Sequence, residues 1–323
     1  MPKIIFDTAI GSSNLGDHII MDAVNRIVEE LFVDDFVINI ATHQRIHAFD
    51  LPMLRKSDLA LVGGTNLLKN DNIRDSQWKI GLKELLAFRH KAVLLGVGWW
   101  QYQEKSVSPY SRFLYRNILS GRFLHAVRDG YTLQKLASIG IRNVINTGCP
   151  TVWELDEAHC QQIDPVKKPL VVTTITDYMR NPAMDRQMLE ILLREYREVH
   201  VWLQGSKDRP YLEQLMRDKP GNLHYIAPKL SAFDRFLEEN ECDYVGTRLH
   251  AGIRALQKKR RAIIIGIDNR ALEMRKDIGL NVLEREKMGD LHVRINQQDP
   301  VKLHQDWAAI ARWKAQFVSG KHG

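Results

Sequence analysis

Three side chains that can bind anions or transfer protons lie close together in the segment VGTRLHAGIRALQ, residues 245–257. Thr247, Arg248 and His250 provide a hydroxyl, a guanidinium and an imidazole. A guanidinium forms paired hydrogen bonds with a carboxylate or phosphate, and an imidazole titrates near neutral pH. Because an uncompensated buried charge costs several kcal/mol, Arg248 needs an acidic partner or an anionic ligand. The segment therefore predicts either a charge-paired structural junction or a site for an anionic substrate.

The elements that position these residues follow an α/β pattern, because short β-branched runs alternate with helical patterns along almost the whole chain. The predicted strands of the first half are KIIFDTA, FVINIAT, LALVGG, AVLLGVG, FLHAVRD and NVINTG. Those of the second half are LVVTTIT, VHVWLQG, LHYIA, CDYVGT, RAIIIGI and LNVLE. The pattern predicts a GT-B-like fold, with two facing Rossmann-like, doubly wound domains and the active site in the cleft between them.

The domain boundaries follow from local composition. The polar segment 156–169 contains two prolines and is the best linker candidate. We expect an N-terminal domain over residues 1–160, a C-terminal domain over 168–300 and a final helix over 301–323. Asp299 and Pro300 predict the start of that helix, and packing on the protein body is favoured over contact with a membrane surface.

Length and composition exclude several classes of protein. The chain has 323 residues, 44% of them hydrophobic and 26% charged, which is typical of a globular protein with two cores. No apolar run is long enough for a membrane span, and the N-terminus lacks a signal-peptide pattern, so a cytoplasmic protein is expected. Three scattered cysteines favour a reducing compartment and no structural zinc site. The net charge of +7 is compatible with binding to any polyanion and does not identify which one.

Loops after the first-half strands contain further candidate ligand contacts. Asn14 and Gly16 lie in the loop AIGSSNLGD, where backbone N–H groups and a helix N-terminus can meet an anion or a sugar hydroxyl. Asp17 is either a first-turn acid that stabilises the helix dipole or a functional carboxylate. Gly63 and Gly64 allow the chain to turn close to a ligand or to a neighbouring backbone.

Aromatic and basic residues follow the next strands. Trp99 and Trp100 can offer flat faces to a sugar ring, although large aromatic residues more often cover a core. Arg128 is followed by Asp129, which predicts either a local ion pair or a fixed guanidinium for a carboxylate or phosphate.

The ordered set of these motifs resembles the polysaccharide pyruvyl transferases. The resemblance rests on NLGD, VGGTNLL, VRDGYTLQKLASIGI, GCPT and GTRLHAGIRAL, which occur in that order over residues 14–256. It implies a GT-B-like fold and phosphoenolpyruvate as the donor, whose pyruvyl group becomes a cyclic ketal on two hydroxyls of one sugar. The family often has a lysine after the final strand, where this chain has Arg270.

The resemblance also implies roles for single residues. Arg248, His250 and Arg128 correspond to the donor site, with Arg248 anchoring phosphoenolpyruvate and His250 donating a proton or assisting the phosphate. Asp17 is the expected base or acceptor contact. We expect no metal ion and no resident cofactor. The partners are phosphoenolpyruvate and a saccharide or lipid-linked oligosaccharide acceptor, with peripheral association at the inner membrane face left open.

Two other functions compete with this interpretation. A GT-B glycosyltransferase with a nucleotide-sugar donor would share the fold, and Asp268 would be its nucleotide-binding acid. A non-catalytic binder of nucleic acid or anionic membrane would use the basic run 258–261. That run lacks a recognisable nucleic-acid module, so no nucleic-acid partner is expected.

Overall fold

A computed structural model describes residues 2–73, 76–217 and 221–318 of the chain. The chain divides into two compact units. The first unit comprises Met1–Ser12, Ile20–Trp153 and Gln305–Gly323, and the second comprises Ser13–Ile19 and Glu154–His304. No helix in the described ranges is both long and apolar enough to cross a membrane.

The first unit is built around one parallel sheet. Its strands are β1 (Lys3–Asp7), β2 (Val37–Ala41), β3 (Leu59–Gly63), β4 (Asn66–Leu68), β5 (Ala92–Trp99), β6 (His125–Val127) and β7 (Val144–Asn146). They are ordered β2-β1-β3-β5-β6-β7, with β4 paired to β5. The helices are α1 (Leu15–Leu31, which begins in the second unit), α2 (Leu51–Lys56), α3 (Leu82–Phe88), α4 (Pro109–Ile118), α5 (Gly130–Ser138) and, at the C-terminus, α13 (Trp307–Val318).

The second unit has a parallel sheet of the Rossmann order, β10-β9-β8-β11-β12-β13. Its strands are β8 (Leu170–Thr173), β9 (Glu198–Trp202), β10 (Leu223–Ile226), β11 (Cys242–Gly246), β12 (Ala262–Gly266) and β13 (Val282–Glu284). The helices are α6 (Glu157–Cys160), α7 (Pro182–Glu195), α8 (Asp208–Leu215), α9 (Leu230–Glu239), α10 (Leu249–Gln257), α11 (Asn269–Ile278) and α12 (Leu291–Asn296).

The central strands of both sheets are buried along their whole length because helices cover both faces. β3 and β5 are buried at every position in the first unit, and β8, β11 and β12 are buried at every position in the second. Each unit therefore has its own core, as two sets of predicted strands require.

The structure contains every predicted strand and differs from the sequence-based expectation in two elements. β4 was not predicted, because three residues are too few for a periodic signal. The terminal helix begins at Trp307, and not at Pro300 as predicted. Asp306 accepts a hydrogen bond from the Ala309 N–H at 2.9 Å, so this later acid caps the helix.

Helix α13 packs on the first unit. Trp313 is fully buried and meets Trp153 edge to face at 5.8 Å between ring centroids. Phe317 stacks on Phe123 at 5.5 Å. These two aromatic side chains are committed to the protein interior and are not available to a membrane.

Candidate functional site

The candidate site lies at the carboxyl edge of the second sheet, where β8 and β11 are neighbours. Connections leave these two strands toward opposite sides of the sheet, so a crevice forms beyond their carboxyl ends. Arg248 follows β11 and is the N-cap residue of α10. Its backbone N–H donates to the Thr174 hydroxyl beyond the end of β8, at 3.3 Å. The predicted RLH segment is therefore at the topological switch point of this sheet.

A hydrogen-bond network fixes the backbone at this junction. The Tyr244 hydroxyl donates to the Arg248 carbonyl at 2.8 Å and lies 2.5 Å from the Thr174 hydroxyl. Thr247 accepts from the Thr176 N–H at 2.9 Å and donates to the Thr174 carbonyl. Burial raises the pKa of Tyr244, so the phenol stays protonated and keeps its donor role. The site is thus preorganised by neutral side chains.

Arg248 is paired with two carboxylates. Its guanidinium forms a short ion pair with Asp208 and lies 3.7 Å from Asp177. The Arg248 side chain retains 13% of its surface, whereas Asp208 retains 1%. The Arg248 Nε atom is buried without a hydrogen-bond partner among the described residues. Arg248 therefore combines partial exposure with an unsatisfied donor, as an anion-binding arginine requires.

Asp208 holds the guanidinium in place and was missed by sequence reasoning. Its carboxylate accepts hydrogen bonds from the Gly205 N–H at 2.7 Å and the Asp177 N–H at 3.2 Å. Burial raises the pKa of Asp208, and the Arg248 charge opposes that rise. Forty positions separate Asp208 from Arg248, so only the fold pairs them.

Two glycines make room for this arrangement. A Cβ atom on Gly205 would overlap the Arg248 guanidinium and would come within 3.1 Å of Asp208. A Cβ atom on Gly246 would lie 2.7 Å from the Thr174 backbone nitrogen. Both glycines allow backbone or side chains to approach closely at the site.

His250 lies in the first turn of α10, two residues after Arg248, and is buried. No side chain caps the N-terminus of this helix at Arg248 within the described ranges. A helix N-terminus favours negative charge through its oriented N–H groups and its dipole. Arg248, His250 and the start of α10 therefore lie together beyond β11, beside the two carboxylates that pair with Arg248.

The NLGD loop belongs to the same unit as Arg248. The Asn14 side-chain oxygen accepts from the Gln204 amide at 2.9 Å and from the Gly16 N–H at 3.2 Å. A Cβ atom on Gly16 would lie 2.8 Å from the Gln204 amide nitrogen. Asn14 and Gly16 thus join α1 to the loop after β9, and that contact explains both residue types.

Asp17 is buried and belongs to a charged group with Arg270 and Asp268. Arg270 donates to the Asp268 carboxylate at 2.8 Å. Burial disfavours the Arg270 charge, but the nearby Asp268, Tyr178 and Asp17 outweigh it, so the pKa of Arg270 is raised. Arg270, at the position where the family often has lysine, is thus a second cation at this edge.

Arg128 lies directly after β6 in the first unit. It forms a short hydrogen bond with Asn66 and an ion pair with Asp129 at 3.3 Å. Both side chains of the ion pair are fully buried. The Nε and Nη1 atoms of Arg128 are buried without a hydrogen-bond partner in the described part of the chain. Arg128 has free donors, but an anion reaches them only if the surrounding side chains move.

Gly63 and Gly64 allow close packing within the first unit. A Cβ atom on Gly63 would lie 3.0 Å from the Met21 sulfur, and one on Gly64 would overlap Ile20. Gly64 also has φ of +56°, in the left-handed region that favours glycine. Both glycines allow α1 to approach β3 closely, and this packing accounts for the residue type.

Trp99 and Trp100, which were expected to offer flat faces to a sugar ring, differ in burial. Trp99 is fully buried, donates from its indole nitrogen to Asn70 at 3.0 Å and packs on Tyr115. The prediction that Trp99 offers a face to a sugar is therefore wrong, because β5 extends to this residue. Trp100 is half-buried beside Lys69, and Tyr102 is 51% exposed. Tyr102 also packs edge to face on Tyr131 at 5.1 Å between ring centroids.

The basic run 258–261 is largely neutralised by neighbouring acids. Arg260 pairs with Glu241 at 2.9 Å, and Lys258 pairs with Glu238. Arg261 is buried and pairs with Asp243. Such local pairing leaves little net charge for a nucleic-acid backbone. Within the described ranges, no group of three His, Cys, Asp or Glu side chains is arranged to hold a metal ion.

Comparisons with known proteins agree with this architecture. The family model of polysaccharide pyruvyl transferase matches residues 14–269. No curated protein matches the chain. Among solved structures, the Methanocaldococcus jannaschii UDP-GlcNAc 2-epimerase, in complex with UDP-GlcNAc and UDP, has a TM-score of 0.58 at 13% identity, covering 98% of this chain and 99% of that one. Staphylococcus aureus MnaA, in a co-structure with UDP, has a TM-score of 0.55 at 14% identity, covering 92% and 90%. These similarities show a GT-B-type fold.

Proposed function

Because the chain belongs to the polysaccharide pyruvyl transferase family, we propose that it moves the pyruvyl group of phosphoenolpyruvate onto two hydroxyls of a sugar. The product is a cyclic pyruvate ketal in an exopolysaccharide or cell-surface glycan precursor, and inorganic phosphate is released. The acceptor is a saccharide or a lipid-linked oligosaccharide. The reaction takes place in the cytoplasm, at the inner membrane face when the acceptor is lipid-linked.

The observation that carries this proposal is the corner formed by Arg248, His250 and the N-terminus of α10. Phosphoenolpyruvate has a carboxylate and a phosphate on one small carbon frame, so its site needs fixed positive groups on two sides. Arg248 supplies a guanidinium held by Asp208, and the helix start supplies oriented N–H groups. The family resemblance also implies a donor-site role for Arg128, whose Nε and Nη1 atoms lack hydrogen-bond partners in the described part of the chain.

The proposed chemistry begins with protonation of the methylene carbon of phosphoenolpyruvate, and His250 donates this proton. The central carbon then has oxocarbenium character and is attacked by one sugar hydroxyl. Phosphate leaves, and the second hydroxyl closes the ring at the same carbon. One hydroxyl proton restores His250, and the other leaves with phosphate. Asp17 is the proposed base that takes a hydroxyl proton and passes it to the departing phosphate, and Trp100 contacts the sugar.

A GT-B glycosyltransferase with a nucleotide-sugar donor is the competing function. Its predicted nucleotide-binding acid, Asp268, uses its carboxylate to cap α11 and to pair with Arg270. That carboxylate is engaged within the protein, so the structure gives no particular support to a ribose contact at this residue.

An assay of the released group separates the two functions. The protein is incubated with phosphoenolpyruvate and lipid-linked oligosaccharide, and separately with UDP-sugars and the same acceptor. We expect release of inorganic phosphate, and an acceptor whose mass increases by that of pyruvic acid minus one water, in the first mixture alone. Release of a nucleoside diphosphate in the second mixture, without phosphate release in the first, would replace the pyruvyl proposal.

A further inference from the structure

Helix α3 in the first unit exposes apolar side chains where a surface helix normally has polar ones. Leu85 and Phe88 pack inward, as expected of an amphipathic helix. Leu82 and Leu86, four residues apart and therefore on one face, are 58% and 75% exposed. Burial of a leucine side chain is favourable by about 1.5–3 kcal/mol, so covering this face would lower the free energy.

A third apolar side chain lies near this helix. Phe49 is 90% exposed and lies just before α2, which packs against α3. Single exposed apolar residues are ordinary, but a phenylalanine and two leucines on or beside two helices that pack together concentrate exposed apolar surface in one part of the unit, as is typical of an interaction surface.

Unpaired cations border the patch. A cavity of about 760 Å³ is lined by Leu82 together with Arg45, Lys79 and Lys83. None of these three cations has a carboxylate partner within the described part of the chain. The cavity is also lined by one carboxylate, Glu84, which accepts a hydrogen bond from the Gly81 N–H. The border therefore has a net positive charge.

We propose that this docking face, formed by Phe49, Leu82, Leu86, Arg45, Lys79 and Lys83, binds the anionic surface of a membrane. Apolar side chains enter the boundary between headgroups and acyl chains, and cations near an anionic leaflet contribute about 1 kcal/mol each. A nucleic acid would pair with the cations but leave the leucines exposed. A second copy of the chain would bring like charges together across a two-fold interface.

The inference extends the proposed location at the membrane face and assigns the contact to a surface other than α13. It is tested without catalysis, by sedimentation with phosphatidylcholine vesicles and with vesicles that also contain phosphatidylglycerol. We expect wild-type protein to bind the anionic vesicles at least about tenfold more strongly, since three cations contribute. Absence of binding to the anionic vesicles overturns the proposal.

Variants locate the contact. Phe49→Ser with Leu86→Ser should weaken vesicle binding at least about tenfold, and Arg45→Gln with Lys83→Gln should remove the preference for anionic vesicles. Phe36→Ser is the matched control, since Phe36 is 86% exposed and precedes β2, whereas Phe49 follows that strand. Equal binding by all these variants contradicts the proposal, as does a wild-type dimer that the face variants dissociate.

The proposed reaction is measured separately with a short, water-soluble saccharide acceptor. The docking-face variants should then release phosphate at the wild-type rate, because none of the substituted residues belongs to the site around Arg248. Loss of vesicle binding with normal phosphate release supports docking, and vesicle binding without any phosphate release leaves docking intact while refuting the transferase.

Discussion

The two units each place an arginine–aspartate pair beyond the carboxyl end of a strand, and the two pairs differ in exposure. Arg128 and Asp129 have no exposed side-chain surface in the first unit. Arg248 in the second unit keeps 13% of its surface and is paired with Asp208 and Asp177. The same residue types, each directly beyond a strand, thus form a buried pair in one unit and a partly exposed pair in the other. Accessibility, which a motif does not encode, therefore distinguishes the two arginines.

The largest effect is expected from a substitution in the second unit, which contains the accessible arginine. His250→Ala should lower kcat for phosphate release by about 10²–10⁴-fold, since a positioned general acid contributes that much. The unfolding midpoint should change little. His292→Ala, at an exposed position in the same unit, is the control. Turnover of His250→Ala within a few-fold of wild type would make this histidine a packing residue.

Breaking the buried ion pair of Arg128 and Asp129 should lower the stability of the protein. Arg128→Met leaves the buried Asp129 without its counter-charge, and such a change costs about 3–5 kcal/mol of unfolding free energy. Urea unfolding measures this loss, with exposed Arg122→Met as the control. A variant of unchanged stability, whose KM for phosphoenolpyruvate alone rises, would show that Arg128 acts as an open ligand contact.

Strand β6, which ends directly before Arg128, provides a test by pH. His125 in β6 is fully buried, and burial lowers its pKa to about 4 despite a hydrogen bond to the Ser120 carbonyl. An unfolded histidine takes up its proton near pH 6.5, so the contribution of His125 to stability is present above that pH and falls between about 6.5 and 4. The loss amounts to about 3 kcal/mol. In histidine NMR, His125 should remain neutral at pH 5, and a midpoint near 6.5 would show that this region is open to water.

The smallest effect comes from displacing Arg248 without removing it. Gly205→Ala puts a methyl group where the guanidinium lies, so Arg248 must move while its charge remains. We expect kcat/KM for phosphoenolpyruvate to fall about tenfold or more, because small misplacements of binding groups are costly. Gly289→Ala is the matched control, since its Cβ atom would enter open space. If Gly205→Ala and Gly289→Ala had the same kcat/KM, the position of Arg248 would not matter for donor binding.

Sequence reasoning located the strands and the RLH junction because both depend on local patterns. β-branched runs identify the strands of a doubly wound sheet, and the residues that follow a strand are necessarily at its carboxyl edge. The family and the GT-B-type fold, which were expected from ordered motifs, are confirmed.

The rest depends on contacts between distant segments. Asp208 was missed because its partner is far along the chain, and Trp99 was misplaced because local sequence does not reveal how far β5 extends before it reaches solvent. The partnership of Asn14 with Gln204 spans 190 positions and is likewise invisible in a local pattern. Two acids, Asp299 and Asp306, offer competing helix starts, and tertiary packing selects the second.

Equilibrium binding of phosphoenolpyruvate tests most directly whether the partly exposed pair holds the donor. Titration calorimetry compares wild type with Arg248→Lys, which retains the charge but loses the planar fork, and with Arg275→Lys, an arginine paired to Glu284 in the same unit. The account predicts that Arg248→Lys weakens binding at least about tenfold, or about 1.4 kcal/mol, while Arg275→Lys binds like wild type. Equal affinity of Arg248→Lys and wild type would contradict it.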